Sequence, residues 1–134
     1  EAAPDSISFL PVLTGAATQL IRDSIVSQSI QGQFAIRDGQ WKLCLGPDSG
    51  GWSEPKPGQV DVSKSPTMQL FNLADDPAEE KNLVTEHPER AERMQKNLRK
   101  LIDQGRSTAG PQLTNDAEIV MIKPITPYQA AKKK

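Results

Sequence analysis

The residues of this chain that could do chemistry are few and far apart. Among 134 residues there is one cysteine, Cys44, and one histidine, His87. A single thiol excludes an internal disulfide and a zinc knuckle, both of which need several sulfur or imidazole ligands. A single imidazole leaves triads and dyads thinly supplied, so the sequence speaks against a self-contained hydrolase, although carboxylate or hydroxyl chemistry stays open. Cys44 lies in GQWKLCLGPD with no His beside it and no Cys-x-x-Cys spacing. Nothing there lowers its pKa, and it reads as a structural thiol rather than a nucleophile. His87 directly precedes Pro88 and reads as a helix-boundary side chain rather than a catalytic imidazole.

Three further groupings are candidates. Asp75, Asp76, Glu79 and Glu80 form an acidic cluster, but the twelve-residue loop with alternating ligands that calcium needs is missing. A solvated helix start is the expectation. Ser49-Gly50-Gly51-Trp52 has glycines without the following Lys-Ser or Lys-Thr of a phosphate-cradling loop. Gly50, Gly51 and Trp52 are nevertheless the candidate binding residues, since an indole on an exposed loop offers a stacking face to sugar or aryl ligands; the competing reading is packing of the ring within its own loop. The lysines Lys132 to Lys134 read as a solvated tail.

Sixteen Lys and Arg against seventeen Asp and Glu leave a net charge of -1. No field of that size gathers polyphosphate, so a duplex-coating nucleic-acid protein is not expected. No apolar run approaches the roughly 18 to 20 residues of a membrane span, and the amino end lacks the pattern of a signal peptide. The length suits one core with an appendage. A start at Glu1 rather than methionine suggests processing or truncation.

The elements that must position these residues follow from periodicity. Residues 1 to 16 read as a connector, because Pro11 interrupts the apolar patch of Phe9, Leu10, Val12 and Leu13 and Gly15 closes it. Residues 24 to 30 carry a β-branched strand signal. GQFAIRDGQWKLCL, at residues 32 to 45, has two alternating runs around Asp38-Gly39, the preferred pair for a type I′ hairpin. That turn predicts Arg37 opposite Gln40, Ile36 opposite Trp41 and Phe34 opposite Leu43. Phe34, Ile36, Trp41, Leu43 and Leu45 then share one face, with Ala35, Arg37, Gln40, Lys42 and Cys44 on the other. Residues 46 to 67 form a long loop. Residues 68 to 73 make a further strand, with Met68, Leu70 and Asn72 on one side and Phe71 and Leu73 on the other. Pro88 to Ile102 is the one long helix, with Glu89 and Glu92 early, Arg99 and Lys100 late, and an apolar stripe of Ala91, Met94, Leu98, Leu101 and Ile102. Gly105 stops it. Residues 107 to 134 read as an extended tail. The fold class expected is α+β: a small antiparallel sheet of about four strands, covered on one face by one long helix, with extended terminal arms.

Taken in order, DSISFLPVLTG at 5 to 15, Arg22 and the strand after it, GQFAIRDGQWKL at 32 to 43, GGWSEP at 50 to 55, QLFNLADDPAEEKNL at 69 to 83 and GRSTAG at 105 to 110 resemble the carboxyl-terminal part of the sulfatase family, within the alkaline-phosphatase-like superfamily. The resemblance covers about four fifths of the chain and fades after Asn115. It implies a connector leaving a catalytic domain (residues 1 to 16), a sheet-plus-helix subdomain (17 to 106) and a tail. It also implies a parent that hydrolyses sulfate esters with a formylglycine, made within a Cys-x-Pro-Ser-Arg type motif, and a calcium ion. Cys44 is followed by Leu-Gly-Pro-Asp and does not match that motif. Val26-Ser27-Gln28-Ser29 stands where many relatives carry histidines, so no site is carried over there. The resemblance therefore implies a fragment that is inactive alone, without catalytic residues or cofactors of its own, whose partner is a sulfatase catalytic domain in cis. Gly50, Gly51 and Trp52 would lie at the rim of the substrate pocket, the isolated piece would self-associate through uncovered apolar surface, and the parent would be periplasmic or secreted. The alternative is an autonomous carbohydrate-binding or interaction module that uses the Gly51-Trp52 loop.

Overall fold

Period-two patterning carries through to the architecture. The computed structural model describes residues 5–18 and 22–127. The Lys132 to Lys134 tail and the first four residues of the connector lie outside the described residues. A short helix α1 (Leu10–Leu13) is followed by strands β1 (Ser24–Gln28), β2 (Phe34–Asp38), β3 (Trp41–Cys44) and β4 (Gln69–Asn72), and by helix α2 (Pro88–Gln104). The strands form one antiparallel meander in the order β1-β2-β3-β4. With α2 packed on one face, the chain is an α+β fold.

Side chains alternate across the sheet, so each aligned row belongs to one face. Val26, Ile36, Leu43 and Leu70 form the central row facing α2. Phe34 and Leu45 form the next, joined by a Leu45 N–H to Phe34 C=O bond of 2.8 Å. Against these rows α2 buries Ala91, Met94 and Leu98, with Leu101 and Ile102 at the margin. Ile36, Leu43, Leu70 and Leu98 are all 0% exposed.

The hairpin turn departs from the expected one. Asp38 pairs with Trp41 and Ile36 with Leu43, so Gly39-Gln40, not Asp38-Gly39, are the central residues. Only Gly39 has positive φ, 58°, which is the sign pattern of a type II′ turn. The expected opposition of Ile36 to Trp41 and Phe34 to Leu43 is therefore wrong by two residues. A shift of two leaves every side chain on its expected face, since the strand period is two. The wider alignment decides the matter, because it puts Ile36 and Leu43 in line with both Val26 and Leu70.

Three other expectations change. Residues 75 to 80 form turns rather than a helix start. Helix α2 runs to Gln104, which moves Arg99 and Lys100 out of the last turn and puts Asp103 there, within 3.9 Å of Arg99. Glu92 and Lys96, four residues apart on α2, meet at 2.6 Å. Residues 107–127 contain no helix or strand, yet Met121 is buried in the core and Ile119 packs beside it. Gly105 ends α2 as expected, with φ 66°; a Cβ there would lie 2.3 Å from the Leu113 carbonyl oxygen.

Both ends of α2 are held. Trp41 sits edge-on to His87 at 5.2 Å and beneath the Arg90 guanidinium at 4.3 Å, which ties the first turn to β3. At the far end, Leu113 N–H donates to the Gln104 carbonyl and Asn115 Nδ2 to that of Ile102, so two late carbonyls of the helix find partners. Leu98→Ala should destabilise the chain by about 2–5 kcal/mol, since the site cannot collapse around the lost atoms. Leu13→Ala, at a residue 82% exposed, should change it by less than about 0.5 kcal/mol. Urea unfolding of both variants checks the pair of values.

Candidate functional site

The face of the sheet turned away from α2 carries two further rows. Ser27, Ala35, Cys44 and Gln69 align in one, and Ile25, Arg37, Lys42 and Phe71 in the other. The loop after β3 and the turn after β4 rise on either side of these rows and enclose a basin of about 480 Å³. Its walls include Asp48, Ser53 and Pro55 from the loop and Pro77 and Glu79 from the turn. Phe71 is buried and lines the same basin.

The loop wall is built around Asp48, which is buried. One carboxylate oxygen accepts from Gln33 Nε2 at 3.0 Å and from the Gly50 N–H at 2.9 Å. Gln69 Nε2 donates to the carbonyls of Gly46 and Asp48, tying the same segment to β4. The glycines permit this close approach. Gly50 has φ 59°, and a Cβ on it would lie 2.4 Å from Ser29 Oγ; a Cβ on Gly46 would lie 2.0 Å from Gln33 Oε1. Composition identified this stretch as a loop, but no periodicity could reveal an anchoring aspartate.

The opposite wall depends on an ion pair between residues 37 apart. Lys42 Nζ donates to both carboxylate oxygens of Glu79, at 2.6 and 2.8 Å, with both side chains about one third exposed. Glu79 is the one non-glycine residue with positive φ among the described residues, at 58°. The Asp76 carboxylate accepts the backbone N–H groups of Lys81 and Glu80, which shapes this turn and lowers the Asp76 pKa, the Lys81 bond being the larger cause. The acidic cluster is thus divided between a backbone-binding turn residue, Asp76, and a lysine partner, Glu79. Among the described residues no group of three or more His, Cys, Asp or Glu is placed to hold a metal ion.

Burial pushes the Cys44 thiol up from its ordinary 9.0 to about 11, against the smaller opposing effect of Lys42. A thiolate nucleophile is disfavoured there. The candidate rim residues separate: Gly50 is buried, Gly51 is half-buried, and Trp52 is 82% exposed. Trp52 therefore does not pack within its loop, and its ring does not line the basin. The residues that do line it, Ser27, Gln33, Lys42, Asp48, Gln69 and Glu79, come from six separate stretches of chain, and local sequence carries no signal for their meeting.

The Cys44 shift has a testable sign. Between the unfolded pKa near 9.0 and the folded value of about 11 the unfolded chain binds fewer protons, so stability falls as pH rises through that window and the contribution is intact below it. Cys44→Ala should flatten that alkaline loss in urea titrations. The native thiol should also react with iodoacetamide at pH 8 roughly a hundredfold more slowly than the urea-unfolded one, in line with its smaller thiolate fraction.

No family model matches the sequence. A solved structure from Bacteroides thetaiotaomicron does: BT33336S-sulf, a sulfatase described with a versatile core genetic locus that orchestrates the metabolism of multiple glycosaminoglycans. It is 28% identical to this chain and superimposes with a TM-score of 0.56. The match takes in 75% of this chain and 20% of that one, so the chain spans about a fifth of the length of the sulfatase it matches.

Proposed function

We propose that this chain is the carboxyl-terminal subdomain of a sulfatase, packed in cis on a catalytic domain that supplies the formylglycine and the calcium ion. The observation that carries the reading is the match to one fifth of a sulfatase at 28% identity. The six ordered sequence segments support it independently. In this reading the chain hydrolyses nothing alone, and its loop at residues 46 to 67 helps to shape the rim of the parent's substrate pocket. The parent's substrates are sulfate esters, and export to a periplasm or cell exterior accords with the family resemblance.

The surface supports a docking role. Phe9, Leu10 and Leu13 on the amino-terminal arm and Ile25 and Ile30 around β1 are all more than half exposed. Asp5 accepts from both the backbone and hydroxyl of Ser107, and Arg22 reaches the Asp5 carbonyl and the Ser107 hydroxyl, so the arm is anchored beside β1. Phe9, Leu10, Val12 and Leu13 follow closely on one short arm, and exposed apolar side chains so concentrated are uncommon on surfaces that stay in water.

The purified chain should turn over no aryl sulfate and should self-associate with rising concentration in sedimentation velocity. Turnover above trace contamination overturns the reading of an inactive subdomain, and a monomer at every concentration overturns the uncovered docking surface. In the coding DNA, an in-frame Cys-x-Pro-Ser-Arg type motif upstream of Glu1 is expected; a start codon directly before Glu1 overturns the parent.

A second reading is favoured by the exposed Trp52 ring. An autonomous carbohydrate-binding module would stack a sugar on that indole, a contact worth about 0.5–1.5 kcal/mol beyond buried area in comparable aromatic pairs. Trp52→Ala should then abolish binding on a glycan array, and a wild-type chain that binds none of the glycans dismisses it.

A further inference from the structure

The polar groups of the basin are only half used. Gln33 and Gln69 spend their amide N–H groups on Asp48 and on the Gly46 and Asp48 carbonyls, while Asp48 accepts through one oxygen alone. Their remaining oxygens have no protein partner among the described residues, and no buried side-chain oxygen or nitrogen there is unpaired. All three residues line the basin, with Gln33 Oε1 set against the Gly46 and Gly50 backbone and the other two oxygens free of protein partners among the described residues. These two are acceptors, and they await hydroxyl or amide donors. The basin's volume, about 480 Å³, falls within the range of small-molecule sites, and Phe71 and Ala35 give it an apolar patch.

Charge narrows the ligand further. The lining holds one cation, Lys42, against the carboxylates of Asp48, Glu54 and Glu79. Both oxygens of Glu79 already engage the Lys42 ammonium. With Lys42 paired to Glu79 and Lys56 lying 3.5 Å from Glu54, the Asp48 carboxylate is the lining charge left without a cation among the described residues. A sulfate, phosphate or carboxylate entering here would therefore meet negative charge and no free cation from the lining. An uncharged ring bearing several hydroxyls would meet acceptors for its donors and apolar surface for its C–H face.

We infer that this basin is a binding site for a neutral, hydroxyl-rich ring, the chemistry of an uncharged monosaccharide unit, and that the sheet rather than Trp52 holds it. The site stands on the geometry of this chain alone and does not depend on docking to a catalytic domain. If the chain serves a sulfatase, the basin takes an unsulfated sugar unit of the substrate and not the ester.

The test is a titration of the full chain, labelled with ¹⁵N, by the methyl glycosides of galactose, glucose and N-acetylglucosamine, with galactose 6-sulfate as the charged comparison. At least one neutral glycoside should give saturable amide shifts at Ser27, Ala35, Cys44 and Gln69, with a Kd on the order of 1–10 mM, as for a single small ring. Galactose 6-sulfate should bind at least about tenfold more weakly, a difference of about 1.4 kcal/mol. Ser27→Trp, at an exposed position on the basin wall, should abolish the shifts, and Trp52→Ala should leave them unchanged. Should Ser27→Trp lose its fold, Glu54→Arg on the exposed loop serves instead, and it should improve binding of the sulfated sugar relative to the neutral one. No shift with any neutral glycoside, shifts confined to the Trp52 loop, or equal or tighter binding of the sulfated sugar each overturns the inference. Aryl sulfate turnover and sedimentation report separately on the sulfatase reading, so failure of one leaves the other standing.

Discussion

The closure of α2 over the central row of the sheet is the contact on which the rest depends. Val26, Ile36, Leu43 and Leu70 come from four strands and form one continuous apolar line, and Ala91, Met94 and Leu98 cover it at helical spacing. An isolated hairpin has little stability in water until more strands or a covering helix bury its apolar face. Each large side chain fully withdrawn from water contributes about 1.5–3 kcal/mol, and this row with its helix supplies most of the fully buried ones. Trp41, between His87 and Arg90, holds the entry of the helix over the sheet and so governs where the stripe lands.

Covering one face leaves the other free for polar work. The rows through Cys44 and Lys42 carry no helix above them, and the two long connections of the fold rise beside them instead. Each connection is fastened by a carboxylate. Asp48 gathers Gln33 and the Gly50 amide, and Asp76 gathers the Lys81 and Glu80 amides. The basin between them thus has firm walls without regular structure in either wall, and its polar lining results from strand alternation on the face that α2 does not cover.

The sheet edges are treated unequally. Outside β4, the Asn82 side chain accepts from the Leu70 N–H and donates to the Met68 carbonyl, while the Leu83 N–H reaches the Leu70 carbonyl. That edge is satisfied from within the chain. Outside β1, no strand pairs among the described residues. Its sequence from Ser24 to Ile30 contains no charge or proline of the kind that protects exposed edges, and Ile25 is half exposed. The anchored amino-terminal arm adds further exposed apolar side chains, Phe9, Leu10 and Leu13.

What the sequence determined by itself was local and periodic. Alternation assigned Phe34, Ile36, Trp41, Leu43 and Leu45 to one face. The stripe from Ala91 to Ile102 marked the covering helix, and Gly105 marked its end, because each of these patterns is read over a few neighbouring residues. Tertiary structure decided what depends on distant partners. The Asp38-Gly39 pair favours a type I′ turn locally, but alignment of Ile36 and Leu43 with β1 and β4 moves the turn by one residue, since burial of a whole row outweighs a turn preference. Met121 enters the core from a stretch without periodicity. Lys42 meets Glu79, and Gln33 and Gln69 meet Asp48, only after the meander is formed. Strand period two announces which side of the sheet a residue occupies; only the folded sheet announces what stands opposite it.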